Sequence, residues 1–543
     1  MTDGSDPMAP SGAVNPIDTD YKVGQDNIVL NVGPFGLDIH NRVFAISGLL
    51  VVAFVVLTLA FQNQVEPMFT AMRGWLTSNL DWFFISAGNI FVLVCLGLAI
   101  SPLGKVRLGG TEATPDYTYL GWFSMLFAAG MGIGLMFFGV SEPLSHFGSA
   151  FGGTAMENGV RTDWAPLGAA AGDAEAATRL GMAATIYHWA LHPWAIYAIL
   201  ALGLALFSFN KGLPLTVRSV FYPLLGERIW GWPGHVIDIL AVLATLFGLA
   251  TSLGYGASQA SSGLNFLFDV PLGNTTQIVL VIGITAIALF SVVAGLDAGV
   301  KRLSEINMIL AVLLLLFVVA VGPTLDILSG FFGNLGAYFQ HLPALSNPVG
   351  RDDANFSQGW TAFYWAWWIS WSPFVGMFIA RVSRGRTVRE FIVSVLIVPS
   401  LACVLWMTVF GETAIIQFVR DGYEAATKAE LPLQLFAMLD ALPLAQITSF
   451  IAIILVVVFF VTSSDSGSLV IDVIAAGGKV DAPTPQRVFW CVFEGLVAIA
   501  LILGGGLVAL QAMAVSTGLP FTIVLLMSTV AVIKGLASEP RAR

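Results

Sequence analysis

Charge and cysteine are both scarce in this sequence. Only 11% of the 543 residues are charged, 57% are hydrophobic, and there are three cysteines. A soluble domain of this length would need far more polar surface, so the composition excludes a soluble globular protein. Cys95, Cys403 and Cys491 lie inside apolar runs, which excludes a disulfide framework. Repeated apolar runs of about 20 residues predict an all-α integral membrane protein.

No segment of the sequence indicates secretion or nucleic-acid binding. The net charge of −10 lies largely in the N-terminal region and in outward loops, so it does not indicate a nucleic-acid partner. The first 43 residues are polar and acidic, and the first apolar run is too long for a signal peptide and lacks a small-residue cleavage site. We expect residues 1–43 to form a flexible cytoplasmic tail.

Twelve apolar runs predict twelve transmembrane helices. They span roughly 44–62, 81–102, 119–141, 183–207, 235–262, 275–295, 304–322, 359–381, 388–411, 445–474, 488–507 and 509–534. With both termini in the cytoplasm, only six of the 24 Lys and Arg residues fall in outward segments: Arg73, Arg161, Arg179, Arg351, Arg420 and Lys428. Because positive residues concentrate on the cytoplasmic side, this orientation is the predicted one.

The ten spans after the first two divide into two sets of five. The sequence predicts two peripheral helices over 44–102, a first five-helix repeat over 119–322, and a second repeat over 359–534 with a short tail over 535–543. Between the repeats, over 323–358, apolar residues at three- and four-residue spacing predict an amphipathic helix and a linker on the periplasmic side. Because five is odd, the second set must be inverted, and inverted repeats with interrupted helices are typical of secondary transporters.

Two pairs of local patterns support that repeat. The third span contains GMGIG at 130–134 and the eighth contains SP at 372–373, and both elements weaken a helix. The fifth and tenth spans share ATS at 250–252 and VTS at 461–463, each with a Phe shortly before. Coincidence between short strings is the alternative, and the outer glycines of the first pattern also have the spacing of a helix-packing motif.

Four tryptophans crowd the eighth span within about two turns. Trp365, Trp367, Trp368 and Trp371 precede Pro373, whose missing N–H loosens the hydrogen-bond ladder one turn earlier. On a helix Trp367 and Trp371 share a face, and Trp368 flanks it. Indole faces attract cations, and quaternary ammonium groups are the usual ligands of aromatic cages. An interfacial belt is the alternative, but belts lie at helix ends, whereas these rings lie in mid-span.

The fourth span carries a second aromatic group. Trp194 and Tyr197 are three residues apart and can share a face, and Trp189 lies about one turn before them. His188 and His192 have the i, i+4 spacing of a metal pair, but no carboxylate or Cys accompanies them on this helix. Hydrogen-bonded packing is the favoured interpretation of the histidines, ahead of a proton relay and of a metal site.

The tenth span carries FFVTSSD at 459–465. The hydroxyl groups of Thr462 and Ser463, with carbonyls freed in a broken partner helix, offer the oxygen ligands that suit Na⁺, a hard cation. Asp465 is a functional candidate because an acid inside a membrane span is costly. It lies one residue too far round the helix to face the two hydroxyls, so a supporting role is favoured. No nucleophile motif surrounds the serines of this segment, and nothing indicates an enzyme.

Four segments together resemble one known family. The chain is similar to the betaine/carnitine/choline transporter family in GMGIGLMFFGVSEP, HWALHPWAIY, WAWWISWSPFVGMFIARVSRGRTVREF and FFVTSSDSGS. The likeness is strongest to sodium-coupled carriers of glycine betaine. It implies the leucine-transporter-type fold, a 5+5 inverted repeat preceded by two extra helices. It also implies a homotrimer in the bacterial plasma membrane, with Na⁺ as the coupling ion and no other cofactor.

The resemblance also implies roles for particular residues. In the substrate-binding set, the aromatic box is represented by Trp189, Trp194, Tyr197 and Trp368, and the rest of the pocket by Trp367 and Trp371. The glycine segment contributes Gly132 and Gly134, and the outer gate is represented by Phe137. The residues that resemble the main sodium site of the family are Ala128, Met131, Phe459, Thr462 and Ser463. A second sodium site of the family would use Thr245 and Phe374, but its third position here is Leu249, which departs from the pattern.

These features predict a sodium-coupled symporter that imports a small zwitterionic osmolyte across the lipid bilayer by alternating access. In the family that this chain resembles, choline carriers tend to have an Asp in the glycine segment. This chain has Gly134 there and no acid, so a zwitterion such as glycine betaine or dimethylsulfoniopropionate fits better than choline. The fifth span has no Lys or Arg between 238 and 263 that could replace the ion. A proton-coupled choline carrier using His188, His192 or Asp465 is the alternative, and a quaternary-amine receptor or channel is a further one.

Overall fold

The computed structural model describes residues 10–32, 35–130, 132–153, 156–157, 160–161, 167–168, 170–294, 297–351 and 354–541. Over these residues the chain is helical apart from loops and two short hairpins, which confirms the predicted all-α membrane fold. Strand β1 (Asn27–Val32) pairs antiparallel with β2 (Phe35–His40). Strand β3 (Met156–Glu157) pairs antiparallel with β4 (Val160–Arg161).

The long helices follow one another along the chain, and short helical turns lie in several of the longer connections. The principal helices are α1 (Val43–Ala60), α2 (Gln62–Ile100), α3 (Tyr119–Gly130), α4 (Ile133–Gly152), α5 (Ala174–Trp189), α6 (Leu191–Ala205), α7 (Trp232–Phe268), α8 (Asn274–Ala294), α9 (Asp297–Val321), α10 (Thr324–Leu345), α11 (Ala362–Val382), α12 (Val388–Met407), α13 (Thr413–Asp421), α14 (Gln434–Asp440), α15 (Ala445–Ala475), α16 (Thr484–Leu503) and α17 (Gly506–Ala537). Short helical turns occupy Pro102–Lys105, Leu206–Asn210, Val217–Phe221, Tyr222–Leu225, Gly226–Trp230, Ala354–Phe356, Ser357–Thr361, Thr408–Glu412, Ala425–Lys428 and Leu431–Leu433.

Ten helical segments of the described chain are long and apolar enough to cross a membrane, and the bent pair α3–α4 would make eleven. The expected count of twelve is therefore not confirmed. The remaining predicted span is α11, which has the length but holds four tryptophans, a tyrosine and two serines that lower its hydropathy. The second span also differs from the prediction, because α2 begins at Gln62 and not near residue 81.

The third predicted span is broken at its glycine segment. α3 ends at Gly130, α4 begins at Ile133, and the two helices are bent by 63°. Gly132 has extended backbone before the first turn of α4. Met131 lies outside the described residues. The break leaves the N–H groups at the start of α4 without partners inside that helix, so they are available to a ligand or a side chain.

The eighth predicted span is weakened but not interrupted. α11 continues through Pro373, which cannot donate to the carbonyl of Ile369. The hydroxyl of Ser372 donates to that carbonyl at 2.7 Å instead. Because the neighbouring serine satisfies the acceptor that proline leaves unpaired, α11 has no break to match the one between α3 and α4.

The amphipathic helix predicted between the two repeats is present as α10. Ile327, Asn334 and Tyr338 are buried against the bundle. Leu328 and Phe332, which belong to the predicted apolar stripe, are exposed. The stripe is thus divided between the bundle and the outside, because at a membrane surface apolar side chains can face lipid as well as protein.

The N-terminal tail, which the sequence predicts to be flexible, packs against the helix bundle where the structure describes it. The carboxylate of Asp38 pairs with Lys479. Tyr21 stacks on Trp230 with ring centroids 3.9 Å apart. Burial lowers the pKa of His40 to about 3, so its ring is neutral at physiological pH. The partners of the tail lie far away in the sequence, so no local pattern reveals them.

A buried ion pair fastens the last residues of the described chain. Lys211 Nζ lies 2.6 Å from Glu539 Oε1, and both side chains are almost fully buried. The same ammonium donates to the carbonyl of Asn15 at 2.9 Å and to Ser538 Oγ at 2.7 Å. Asn210 Nδ2 donates to the second carboxylate oxygen at 3.0 Å. A buried pair with this many hydrogen bonds holds its charges strongly, because either charge alone would be costly to bury.

We expect Glu539→Gln to lower the stability of the protein by roughly 3 kcal/mol, because it leaves the Lys211 ammonium buried without a counter-charge. The unfolding midpoint of the detergent-solubilised protein measures the effect. The matched control is Glu424→Gln, which breaks an exposed ion pair with Lys428 and should change stability by less than about 1 kcal/mol. Equal midpoints for the two variants would contradict the prediction.

Candidate functional site

A cavity of about 310 Å³ lies in the middle of the bundle, beside the break between α3 and α4. Residues from both sides of that break, and from α5, α6, α7, α9, α11 and α15, form its walls. The lining residues are Ala128, Ala129, Gly130, Gly132, Ile133, Gly134, Leu135, Trp189, Tyr197, Ser252, Ser304, Asn307, Met308, Trp367, Trp368, Trp371, Phe374, Val375, Phe378, Phe459, Thr462, Ser463 and Ser466.

One face of α11 forms a continuous wall of this cavity. The lining residues of that helix recur at three- and four-residue spacing: Trp367, Trp368, Trp371, Phe374, Val375 and Phe378. The wall therefore runs along the helix toward Arg381 near its end. Trp365 faces the other way and stacks on His192 at 5.6 Å. Three of the four crowded tryptophans thus face the cavity and one packs behind it.

The four predicted box rings meet around Trp368. Its ring centroid lies 5.5 Å from Trp189, 5.7 Å from Trp194 and 5.0 Å from Tyr197. Trp194 does not line the cavity, and its Nε1 donates to the carbonyl of Trp189 at 3.2 Å, which supports the box from behind. Trp368 Nε1 is buried and has no hydrogen-bond partner in the described part of the chain. A ligand with an acceptor group could satisfy that N–H.

A buried carboxylate orients two aromatic rings beside the box. Glu142, on α4, accepts a hydrogen bond from Trp189 Nε1 at 2.7 Å and another from the hydroxyl of Tyr364 at 2.6 Å, both at Oε2. Its Oε1 lies 2.5 Å from His188 Nδ1 and 3.3 Å from His146 Nε2. All these groups are buried. Because buried charge-assisted hydrogen bonds are strong and directional, Glu142 fixes the plane of the Trp189 indole.

The histidines of the fourth span have separate environments. His188 joins the Glu142 cluster and its Nε2 lies 2.9 Å from Thr361 Oγ1. His192 Nε2 lies 2.9 Å from Asn89 Oδ1. Hydrogen-bonded packing, the favoured interpretation, matches these contacts. The ligating atoms of Glu142, His146 and His188 lie within 4.8 Å of one another, a spacing that a metal ion could also use, but hydrogen bonds already account for the cluster.

An aromatic layer closes one end of the cavity. We use that term for Phe137, Phe138, Tyr255, Trp360, Phe363 and Tyr364, which are all buried. Phe138 contacts six rings around it, with centroid distances that range from 4.8 Å to Phe137 up to 6.3 Å to Trp189. Phe137 lies 4.7 Å from Tyr255 and does not line the cavity. The predicted gate residue therefore belongs to the layer and not to the pocket.

The glycine segment brings backbone against the tryptophans. A Cβ on Gly134 would lie 2.8 Å from Trp189 Cη2 and 3.1 Å from Trp367 Cη2, so no larger residue fits there without moving a ring. A Cβ on Gly132 would meet no atom within 4 Å. Gly134 is thus needed for the closeness of the two indoles. Gly132 leaves the break open toward the cavity.

The predicted sodium ligands come from two helices that line the cavity. Ala128 on α3 and Phe459, Thr462 and Ser463 on α15 all line the cavity, while Met131 lies outside the described residues. Thr462 Oγ1 donates to the carbonyls of Val458 and Phe459 at 3.0 and 3.2 Å, so its oxygen lone pairs remain available to a cation.

Asp465 does not line the cavity. Its carboxylate lies 3.1 Å from Arg487 Nη2 on α16, and its carbonyl accepts from the same nitrogen. The side chain therefore ties α15 to α16 one turn below the predicted ligands, which agrees with a supporting position.

The residues of the second predicted sodium site do not all line the cavity. Phe374 lines the cavity, but Thr245 is fully buried away from it, and its hydroxyl donates to the carbonyl of Ala241 at 2.7 Å. Leu249 packs against α15, since a Cβ on Gly467 would lie only 2.3 Å from its Cδ1. The residue at the third position is thus an apolar side chain in close contact with the neighbouring helix.

Several residues that line or support the cavity were not singled out from the sequence. Glu142 lies one residue beyond the predicted span over 119–141, so the argument that an intramembrane acid is a functional candidate, applied to Asp465, did not reach it. Ser252 accepts from Trp367 Nε1 at 3.2 Å and fixes that ring. Ser304 and Asn307 come from α9. No local signal marks them, because only the packing of α9 against α15 brings them to the cavity.

We expect Glu142→Gln to loosen the Trp189 ring and lower stability by about 1–3 kcal/mol, because the amide presents an N–H group to neighbours that are themselves donors. The unfolding midpoint and the near-ultraviolet circular dichroism of the tryptophans measure the two effects. The control is Glu66→Gln, at an exposed position on α2. Unchanged midpoint and spectrum in Glu142→Gln would refute the positioning role.

The sequence matches the family model described as "BCCT, betaine/carnitine/choline family transporter" over residues 42–541. A glycine betaine/proline/choline transporter of Vibrio parahaemolyticus is 75% identical over 532 residues, which cover 98% of this chain and 96% of the relative. Glycine betaine transporter 1 of the same organism is 54% identical, with 96% and 97% of the two chains covered. A glycine betaine transporter of Acinetobacter baylyi is 41% identical over 92% of this chain and 74% of its own length.

Among solved structures, a mutant manganese transporter of Eremococcus coleocola is 14% identical with a TM-score of 0.41, and the match covers 79% of this chain and 88% of that one. A likeness at that level carries no argument. The match to the family model extends over nearly the whole chain and includes every residue of the cavity. The chain therefore belongs to the betaine/carnitine/choline transporter family.

Proposed function

We propose that this transporter is a sodium-coupled symporter that carries a zwitterionic onium solute, with glycine betaine as the first candidate. Membership of the family makes the chain a membrane transporter of betaine-like solutes and not an enzyme. The observation that carries the finer proposal is a single cavity that contains both the tryptophans of α11 and the hydroxyls of α15. A substrate and an ion bound there would be close enough to stabilise each other's binding.

The substrate proposal rests on the chemistry of the walls. The rings of Trp189, Tyr197 and Trp368 line the cavity, and the π faces of such rings bind methylated onium groups. Trp368 Nε1 and the N–H groups at the start of α4 are donors that a substrate carboxylate could accept from. The names of similar Vibrio proteins include glycine betaine, and for some also proline and choline. Dimethylsulfoniopropionate has the same two groups and is the second candidate.

The ion proposal rests on the oxygen atoms of the cavity. Na⁺ prefers oxygen ligands, and Thr462 and Ser463 offer hydroxyls opposite the end of α3, where helix termination exposes carbonyl groups. We propose one sodium ion here and none at the second family position, because Leu249 stands where a hydroxyl ligand would be needed.

We further propose that the structure represents an inward-facing state. The aromatic layer closes one end of the cavity, and the α11 wall extends toward the end of the helix that carries Arg381. By the positive-inside rule the Arg-rich end is cytoplasmic. Release into the cytoplasm would then follow the path past Phe374 and Phe378. A homotrimer in the bacterial plasma membrane, with both termini in the cytoplasm, completes the proposal.

Uptake into proteoliposomes tests the proposal directly. Radiolabelled glycine betaine, dimethylsulfoniopropionate, proline and choline are each offered with an inward sodium gradient, with a proton gradient, and with neither. Concentrative uptake of glycine betaine that needs the sodium gradient is the expected result. Uptake driven by protons, or strongest for choline, would support the proton-coupled choline carrier instead, and binding without uptake would indicate a receptor.

We expect Trp368→Leu to weaken glycine betaine binding by about 30-fold or more, because it removes a ring worth about 2 kcal/mol from the centre of the box. Isothermal titration of the purified protein measures the dissociation constant. Trp75→Leu, at an exposed tryptophan on α2, is the matched control and should bind as the unmodified protein does. An unchanged dissociation constant in Trp368→Leu would refute the assignment of Trp368 to the aromatic box.

We expect Thr462→Ala to raise the sodium concentration for half-maximal uptake about tenfold while saturating sodium restores the rate, because one oxygen ligand is lost. Thr462→Ser should behave nearly as the unmodified protein, since it keeps the hydroxyl. The control is Thr448→Ala, on the same helix and with the same bond to a carbonyl one turn back. A sodium requirement that does not change in Thr462→Ala would argue against this ion site.

A further inference from the structure

An arginine without a counter-charge lies outside the aromatic layer. Arg73, on α2, is half-buried, and its Nη2 donates to the carbonyl of Gly359 at 3.3 Å. Its Nε is buried and has no hydrogen-bond partner in the described part of the chain. No carboxylate of the described residues lies within ion-pair distance of it. A guanidinium held in this way retains its capacity to bind an anion.

The acids nearest to Arg73 along α2 do not neutralise it. Glu66 and Asp81 are seven and eight residues away, which is roughly 10–12 Å along a helix axis. The Asp81 carboxylate already accepts from Ser357 Oγ at 2.9 Å and from the N–H of Trp82 at 2.7 Å. Neither acid of α2 therefore neutralises Arg73, and its charge remains able to attract an anion that approaches from the same side of the bundle.

Tyr255 places a second donor near this arginine. Arg73 is bonded to the carbonyl of Gly359, four residues before Phe363, whose ring centroid lies 6.0 Å from that of Tyr255. The Tyr255 hydroxyl accepts a hydrogen bond from Gln511 Nε2 at 2.7 Å, which leaves its own proton available to donate. The ring of Tyr255 belongs to the aromatic layer and lies 5.7 Å from Trp367, which lines the cavity. The two donors are thus separated from the cavity by a single layer of rings.

We propose that Arg73 and Tyr255 form a carboxylate-binding site at the outer entrance, where a zwitterionic solute is captured before the aromatic layer opens. This proposal rests on the proposed function and adds a selection step to it. A guanidinium and a hydroxyl bind the carboxylate of the solute through charge-assisted hydrogen bonds. The same guanidinium repels a solute that carries only a positive charge. The onium head would then lie toward the rings that it must pass.

A purely structural role for Arg73 gives a different expectation. Its bond to Gly359 could serve only to hold the helical turn Ser357–Thr361 that precedes α11. In that case removal of the side chain would affect every substrate alike and would lower the maximal rate. A capture site instead changes the apparent affinity for carboxylate-bearing solutes and leaves the maximal rate unchanged, because saturating substrate compensates for weaker capture.

The test compares Arg73→Gln with the unmodified protein in proteoliposomes. We expect the KM for radiolabelled glycine betaine to rise about tenfold at unchanged maximal rate, because one charge-assisted contact is lost. The inhibition constant of unlabelled choline against that uptake should stay the same or fall. Arg73→Lys, which keeps the charge but not the planar fork, should recover part of the affinity. The control is Arg420→Gln, at an exposed arginine paired with Asp326.

The outcomes separate this proposal from the proposed function. Absence of sodium-dependent glycine betaine uptake by the unmodified protein would refute the proposed function itself. Uptake by the unmodified protein with an unchanged KM in Arg73→Gln would overturn the capture site alone. An equal rise in the KM for glycine betaine and in the inhibition constant of choline, or a fall in maximal rate with no change in KM, would assign Arg73 the structural role and overturn it as well.

Discussion

The bilayer interior offers no hydrogen-bond partners, so every backbone amide and carbonyl in it must be satisfied by the protein. The rest of this structure depends on how the chain meets that constraint. The helix is continuous at Pro373 because Ser372 supplies the missing donor. Between Gly130 and Ile133 the helix ends and restarts, and there the unpaired backbone groups border the cavity. The site is therefore located where the helix itself cannot satisfy its backbone.

The tryptophans alone would not make a binding site, because rings without fixed planes pack against one another. Three separate acceptors hold them apart. Glu142 accepts from Trp189, Ser252 accepts from Trp367, and the carbonyl of Gly248 accepts from Trp371 at 3.0 Å. Each acceptor comes from a helix other than the one that carries its ring. The shape of the cavity is thus set by contacts between helices, which couples its geometry to any movement of one helix against another.

The architecture could be predicted from sequence where the signal is local. Apolar length revealed most spans, and helical spacing placed Trp367, Trp368 and Trp371 together on α11. The start of α2 could not be predicted, because this helix begins at Gln62, well before its apolar run. The other limits concern contacts between residues that are far apart in the sequence. Glu142 was not recognised as the acceptor for Trp189 and Tyr364, because its partners are 47 and 222 residues away. Asn307 reaches the cavity only through packing, which no periodic pattern encodes.

The contacts of the N-terminal segment have a consequence for biosynthesis. Asn15 receives a hydrogen bond from Lys211, whose ammonium also holds Glu539, and Asp38 pairs with Lys479. Tyr21 stacks on Trp230, before the middle of the chain, whereas the partner of Asp38 comes close to its end. The N-terminal segment can therefore dock only in stages, and its contact with Lys479 must wait until α15 has been made. The pairing of Asp38 with Lys479 consequently requires that α15 has reached its place.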